Sequence, residues 1–169
     1  THLVVPLLKS KDPRARLAGI TCIIGMGKGK PLPIEQVTDE MFNLAAGMVN
    51  DPDEAWWVAL GAMKALSRAN AEQVAPHVES LMSWLDHDEW WLRNAAMKAL
   101  APVVSDNRFY KQILSKTGEI VASDTRGKVF DSLRGIVEEL KTADPEVQQF
   151  AIQTFAKAYQ AFPTTLAEP

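Results

Sequence analysis

The chain has 169 residues, of which 47% are hydrophobic and 23% are charged, and its formal net charge is −3. This length allows one domain with a sizeable core, or about four units of a repeat. The small negative charge gives no overall basic field, so nucleic acid is an unlikely partner, and the apolar runs are too short to span a membrane. The single cysteine, Cys22, lies in the apolar run ITCII and is predicted to be a small buried residue.

All predicted elements are helices. Residues 2–10 have the pattern of the end of a helix, and Asp12 and Pro13 begin a helix that extends to about Met26. The glycines and prolines from Gly25 to Pro33 predict a loop. Further helices are predicted at about 34–49, 56–66, 72–85, 90–104, 108–122, 128–141 and 144–161. These elements predict one repeat domain over residues 1–161 and a C-terminal tail at 162–169.

One segment occurs twice. WWVALGAMKAL, from Trp56 to Leu66, returns as WWLRNAAMKAL from Trp90 to Leu100, with seven of eleven positions identical and a spacing of 34 residues. A period of this length, carried by helical segments, is typical of stacked helical repeats rather than of an enzyme core.

Four segments set an acidic turn before a helix with small residues at fixed offsets: DPRARLAGITCI, DPDEAWWVALGAMKAL, DHDEWWLRNAAMKAL and DPEVQQFAIQTF. This pattern resembles the HEAT-repeat (armadillo-type) family. The resemblance implies an all-α superhelix, a solenoid of antiparallel helix pairs, within a longer protein with more repeats upstream. It aligns Gly19, Ala62, Ala96 and Ala151 at one small position, Cys22, Ala65, Ala99 and Thr154 at a second, and Ile23, Leu66, Leu100 and Phe155 at an apolar position.

The resemblance also implies an early arginine that pairs with turn acids of the neighbouring unit. Arg16 and Arg93 match this pattern, whereas Ala59 and Gln148 do not. The last two matching helices are about 55 residues apart, which predicts an additional helix or a long insertion between residues 104 and 128. The tetratricopeptide repeat is an alternative of the same period, but only the first copy has its Trp-x-x-Leu-Gly start.

The tryptophans are the main candidates for partner binding, because large aromatic side chains supply binding energy when a partner covers them. On a helix, Trp57 shares a side with Lys64 and Arg68, and Trp91 lies beside Lys98. Trp57, Trp91, Lys64 and Lys98 are therefore predicted to form a partner-binding patch, with the tryptophans about 10 Å apart if the units stack.

The alternative is a packing role for the same tryptophans. Trp56 and Trp90 would then wedge between adjacent units, and Trp57 and Trp91 would cover the preceding turn. Trp84, in the segment LMSWLD, is predicted to belong to the core or to the seam between units.

No metal or cofactor site is predicted. The loop from Gly25 to Lys30 lacks the strand and the Gly-Lys-Ser/Thr ending of a phosphate loop, so it is interpreted as a connector. His77 and His87 have no spacing that brings metal ligands together. The acidic turn at 86–89 is instead predicted to be solvated, with its carboxylates capping the following helix.

The sequence favours a non-enzymatic scaffold or protein–protein interaction module with a protein or peptide partner. No nucleophile lies beside a base in the sequence. The enzyme alternatives are a HEAT-like DNA glycosylase, which has aromatic, Asp and basic residues in its cleft, and a bilin lyase that binds a tetrapyrrole in the solenoid groove. The compartment and the oligomeric state stay open at this point.

Overall fold

The computed structural model of the protein describes residues 2–25, 29–123 and 127–161, and over these ranges it is all-helical without a strand. The helices are α1 (Val4–Leu8), α2 (Pro13–Ile24), α3 (Asp39–Asn50), α4 (Trp56–Leu66), α5 (Ala71–Val74), α6 (Val78–Trp84), α7 (Trp90–Leu100), α8 (Tyr110–Ser123), α9 (Gly127–Leu140) and α10 (Pro145–Ala161). The predicted all-α fold is confirmed. In the described part of the chain, no helix is long and apolar enough to cross a bilayer. The predicted tail at 162–169 lies outside the described residues.

The helices form two layers. Helices α2, α4, α7 and α9 pack side by side in chain order. In the second layer, α3 contacts both α1 and the α5–α6 segment. Helix α10 packs along α8 and also contacts α9. Successive helix pairs therefore share one continuous core, as the solenoid prediction requires.

Small residues allow the helices of the first layer to approach closely. Four alanines at the predicted small positions are fully buried: Ala62, Ala65, Ala96 and Ala99. A Cβ atom added to Gly61 would lie only 3.1 Å from Ile20 Cγ2, so the backbone of α4 lies almost directly on α2. Leu66 and Leu100 have no exposed area and close the core below this contact.

Cys22 is exposed, so the prediction of a small buried residue is wrong. Its neighbour on the same helical face, Ala18, is exposed as well. The equivalent alanines Ala65 and Ala99 are buried because the preceding helix of the layer packs against α4 and α7. Among the described residues, no helix of this layer precedes α2, and its corresponding face therefore meets solvent.

Three predicted helices are shorter or more interrupted than expected. Residues Ile34–Gln36 form a 3-10 turn, and α3 begins only after Thr38, whose hydroxyl accepts a hydrogen bond from the Met41 N–H. Pro76 and Pro102 each lie in a 3-10 turn, at the α5–α6 junction and after α7. Proline lacks the N–H that a continuous helix needs, which explains both interruptions.

The predicted start of α2 at Asp12 is confirmed, because the Asp12 side chain accepts a hydrogen bond from the Arg14 N–H.

Arg16 joins the first unit to the next. Its Nε and Nη2 donate to the two carboxylate oxygens of Glu54 at 2.8 and 2.7 Å, and its Nη1 donates to the carbonyls of Ser10 and Lys11. The hydrogen bond with Glu54 raises the pKa of Arg16. The Glu54 side chain is only 3% exposed. The implied pairing of an early arginine with an acid of the neighbouring turn is confirmed at this position.

Gln148 retains part of this arrangement without a charge. Arg93 Nη1 donates to the carbonyls of His87 and Asp88, in the turn before its own helix, as Arg16 does in its turn. At the equivalent position, Gln148 Nε2 donates to the carbonyls of Leu140 and Lys141 at 3.0 and 3.2 Å. An amide therefore satisfies the carbonyls at the end of α9, although it has no cation for a turn acid.

The irregular spacing after residue 104 is explained by a complete helix. Helix α8 occupies this region and packs along α10. The Tyr110 hydroxyl donates to Glu146 at 2.8 Å, and the Tyr110 ring meets the Phe150 ring edge-on at 5.5 Å. The predicted additional helix is confirmed.

Candidate functional site

A groove of about 670 Å³ lies between α4 and α7, beside the C-terminal end of α2. Its lining residues come from those three helices and the turns that follow α2 and α4: Ile24, Gly25, Leu60, Lys64, Ser67, Arg68, Trp90, Trp91, Asn94, Ala95 and Lys98. On α7, Trp91, Asn94, Ala95 and Lys98 recur at intervals of three and four residues, which places them along one helical face. The groove therefore follows the contact between the two Trp-Trp helices.

Three of the four predicted partner-binding residues line this groove. Lys64 and Lys98 lie on opposite walls, and Trp91 lies at the N-terminal end of the α7 wall. Trp57 does not line it, and both Trp57 and Trp91 are half-buried and pack against the hydrophobic core. The structure therefore brings Lys64, Trp91 and Lys98 together and places Trp57 elsewhere, and their role in partner binding stays a prediction.

The aromatic wall of the groove consists of Trp90 and Trp91. The two rings meet edge-on, with their centroids 5.8 Å apart. The packing alternative predicted that Trp90 wedges between units, and it did not predict that Trp90 lines the groove. For Trp56 the wedge interpretation is wrong, because this side chain is 54% exposed.

Trp84 lies at the seam between units. Its indole N–H donates to the Val49 carbonyl at 3.1 Å, and its ring stacks on His87 with centroids 5.6 Å apart. The hydrogen bond joins α6 to the end of α3, so the seam interpretation of Trp84 is confirmed.

Arg68 places a fixed positive charge at the rim of the groove. Its guanidinium donates to the carbonyls of Ile23 and Leu32, the latter at 2.8 Å. These carbonyls belong to the last turn of α2 and to the connector that follows, where a cation is favourable. Gly25, at the start of that connector, has φ of 67°, and a Cβ there would lie 2.5 Å from Pro31 N. Gly25 and Pro31 therefore lie close together at one end of the groove. Residues 26–28 of the predicted connector lie outside the described residues.

Asn94 was not predicted as a site residue from the sequence, but it lies in the middle of the α7 wall. The Ser132 hydroxyl of α9 donates to Asn94 Oδ1. Ser132 is completely buried, so its hydroxyl fixes the Asn94 amide from the side of α9. The Asn94 nitrogen, which carries two N–H donors, is then oriented away from Ser132. Such a donor suits a carbonyl oxygen of a bound chain.

A second groove of about 380 Å³ continues the first one towards α9. The two share Ser67 and Lys98. The α9 wall contributes Arg134, Glu138 and Glu139. The hydrogen bond from Lys141, at 2.7 Å, lowers the pKa of Glu138. The surface along α4, α7 and α9 therefore changes from cationic to mixed charge.

The acidic turn at 86–89 does not cap α7 through a side chain, so that prediction is wrong. Glu89 is the N-cap residue and makes no side-chain cap hydrogen bond, while its N–H donates to His87 Nδ1 at 3.0 Å. Asp86 instead pairs with Lys116 of α8, and this hydrogen bond raises the pKa of Lys116. The Asp86 carboxylate thus connects the turn before α7 to α8.

The histidines lie in separate environments. Burial lowers the pKa of His77, whose Nδ1 lies 3.4 Å from Asn50 Nδ2. Over the described ranges, no group of three or more His, Cys, Asp or Glu residues is placed to hold a metal ion.

The groove presents apolar, amide and cationic groups. Its described lining contains aromatic rings, an amide and cations, but no carboxylate and no histidine. The glycosylase alternative requires an Asp in the aromatic cleft, and this lining does not supply one.

No family model and no curated protein matches the chain. Solved structures do. The chain is similar to a designed armadillo repeat protein in complex with the peptide (KR)4, with a TM-score of 0.65, 18% identity, and coverage of 90% of this chain and 69% of that one. It is also similar to an engineered protein with a TM-score of 0.70, 15% identity and coverage of 95% and 70%. A computationally designed armadillo repeat protein for modular peptide recognition matches with a TM-score of 0.64, 17% identity and coverage of 90% and 69%.

These similarities show that the chain has the fold of the helical repeat proteins. Within that class, the structural neighbours are armadillo/HEAT-like repeat proteins, and the chain has their fold. This agrees with the resemblance that the four turn-and-helix segments indicated.

Proposed function

We propose that this protein is a peptide-binding module that holds an extended segment of its partner in the groove between α4 and α7. The observation that carries the proposal is the convergence of Trp91, Asn94, Lys64 and Lys98 on one open groove. Aromatic rings provide apolar contact area, and side-chain amides and cations fix the orientation of a ligand.

The continuous surface along α4, α7 and α9 supports an extended ligand rather than a compact one. The two grooves meet at Ser67 and Lys98, so a bound chain can pass from α4 towards α9 without leaving the surface. Two of the similar structures are armadillo proteins described with a bound peptide or as designed for peptide recognition. Peptide binding is thus a known use of this fold, and the groove residues of this chain suit it.

We expect Trp91→Ala to weaken peptide binding by about 2 kcal/mol, or about thirtyfold in Kd, because a large aromatic side chain carries much of the binding energy of such an interface. A random peptide library displayed on phage would be selected on the unmodified protein. The Kd of each selected peptide would then be measured by fluorescence anisotropy. Trp56→Ala is the matched control, since Trp56 is exposed but does not line the groove.

Trp91 is half-buried, so Trp91→Leu is measured in parallel to retain part of its packing. The melting temperature of each variant shows whether the fold is intact. The proposal is wrong if no peptide is enriched, or if the enriched peptides bind the folded Trp91 variants as tightly as the unmodified protein.

A further inference from the structure

We propose that the segment bound in this groove is acidic, with carboxylates that contact Lys64 and Lys98 and an apolar side chain that packs on Trp91. This inference rests on the proposed peptide-binding function and specifies the chemistry of the peptide. It comes from the distribution of charge over the groove rather than from the charge of the whole chain.

The groove is cationic in a protein that is acidic overall. Lys64, Arg68 and Lys98 are its charged lining residues in the described part of the chain. The formal net charge of the chain is −3, so the positive groove is a local feature. Like charges gathered at one concave surface create a local potential that attracts anions.

The two groove lysines have no carboxylate partner of the kind that four other lysines have. Four other lysines have a carboxylate within 4.0 Å: Lys9, Lys111, Lys116 and Lys141. Among the described residues, no carboxylate pairs with Lys64 or Lys98, and both side chains are exposed. Their charges are therefore available to a ligand.

The mixed charge at α9 determines which part of the groove the acidic residues of the ligand occupy. Glu138 and Glu139 line the continuation of the groove and would repel carboxylates there. The acidic residues of the peptide therefore lie over α4 and α7, between Lys64 and Lys98. In an extended chain, alternate side chains point to opposite sides, so carboxylates can face the lysines while an apolar neighbour faces the tryptophan.

A single-stranded nucleic acid is the other polyanion that could meet cations beside aromatic rings. The observations favour a peptide, because the cations form a short cluster rather than a stripe along the helices. An oligothymidylate is therefore included as a competing probe in the test.

The test uses three labelled peptides, EDLEDLED, KRLKRLKR and QSLQSLQS, which share their leucines and differ in charge. We expect the unmodified protein to bind EDLEDLED most tightly. Lys64→Glu combined with Lys98→Glu should weaken that binding by about tenfold or more at low salt and should make KRLKRLKR the preferred peptide. Lys11→Glu combined with Lys157→Glu is the matched control, since it changes the net charge equally at exposed lysines that do not line this groove.

The outcomes separate this inference from the proposed function. If the unmodified protein prefers the neutral or the basic peptide and Trp91→Ala weakens that binding, the groove binds peptides but the acidic preference is wrong. An equal loss in the control pair would also overturn the inference, because net charge alone would then explain the binding. Tighter binding of oligothymidylate than of EDLEDLED would overturn it as well. If none of the peptides binds and phage selection enriches none, both proposals fail.

Discussion

Arg16→Ala is expected to lower the free energy of unfolding by about 3 kcal/mol, because it leaves the Glu54 carboxylate buried without its cation. The Glu54 side chain is only 3% exposed, and the Arg16 guanidinium supplies two of its hydrogen bonds, while the Ala55 N–H donates a third at 2.9 Å. The substitution also removes the donor for the carbonyls of Ser10 and Lys11. Urea unfolding followed by circular dichroism measures the change.

Gln148 shows how the two parts of this effect can be separated. Its amide binds the carbonyls of Leu140 and Lys141 without a charge. Arg16→Gln should therefore be less damaging than Arg16→Ala, since it keeps a donor for the carbonyls. Adding Glu54→Gln to Arg16→Gln should recover part of the remaining loss, because no unpaired carboxylate is then buried.

Arg108 provides the matched control for the arginine substitution. It pairs with Asp106 at 2.7 Å, but its side chain is 67% exposed, so Arg108→Ala should change stability little. Equal losses for Arg16→Ala and Arg108→Ala would show that the buried bridge to Glu54 does not hold the first two units together.

The helices and their stacking could be predicted because their signals are local. Asp12 with Pro13 and Asp144 with Pro145 begin their helices at the predicted positions. The small residues at fixed offsets in the two Trp-Trp segments predicted the close contact that buries Ala65 and Ala99. Each of these signals lies within about one helix, where the chain itself determines the geometry.

The candidate site was predicted only in part, because it depends on how neighbouring helices are rotated. Lys64 and Lys98 were identified from their helical side, and both line the groove. Trp57 was chosen because it shares a helical side with Lys64 and Arg68, and Trp91 was chosen as its copy, yet each helix meets its predecessor with one side and its successor with another. The groove receives the α7 side that carries Trp91 and the α4 side that carries Leu60. A single helix pattern does not reveal this pairing.

The exposure of Cys22 has the same origin, and it provides the second large prediction. Ala65→Leu should lower the free energy of unfolding by about 3 kcal/mol, because extra carbon atoms must enter a contact between α2 and α4 that has no space. Ala65 has no exposed area, and the neighbouring Gly61 leaves only 3.1 Å for an added Cβ atom. Intrinsic helix propensity opposes the change only slightly, since alanine and leucine are both good helix formers.

Cys22→Leu is the matched control, because Cys22 occupies the equivalent position on α2 with its side chain in solvent. Leucine there meets no neighbouring helix among the described residues, so stability should be nearly unchanged. The two variants thus place the same side chain at the same repeat position and differ only in whether a preceding helix covers it. If Ala65→Leu were as harmless as Cys22→Leu in urea unfolding, the contact between α2 and α4 would be loose, and close packing of small residues would not be what stacks these units.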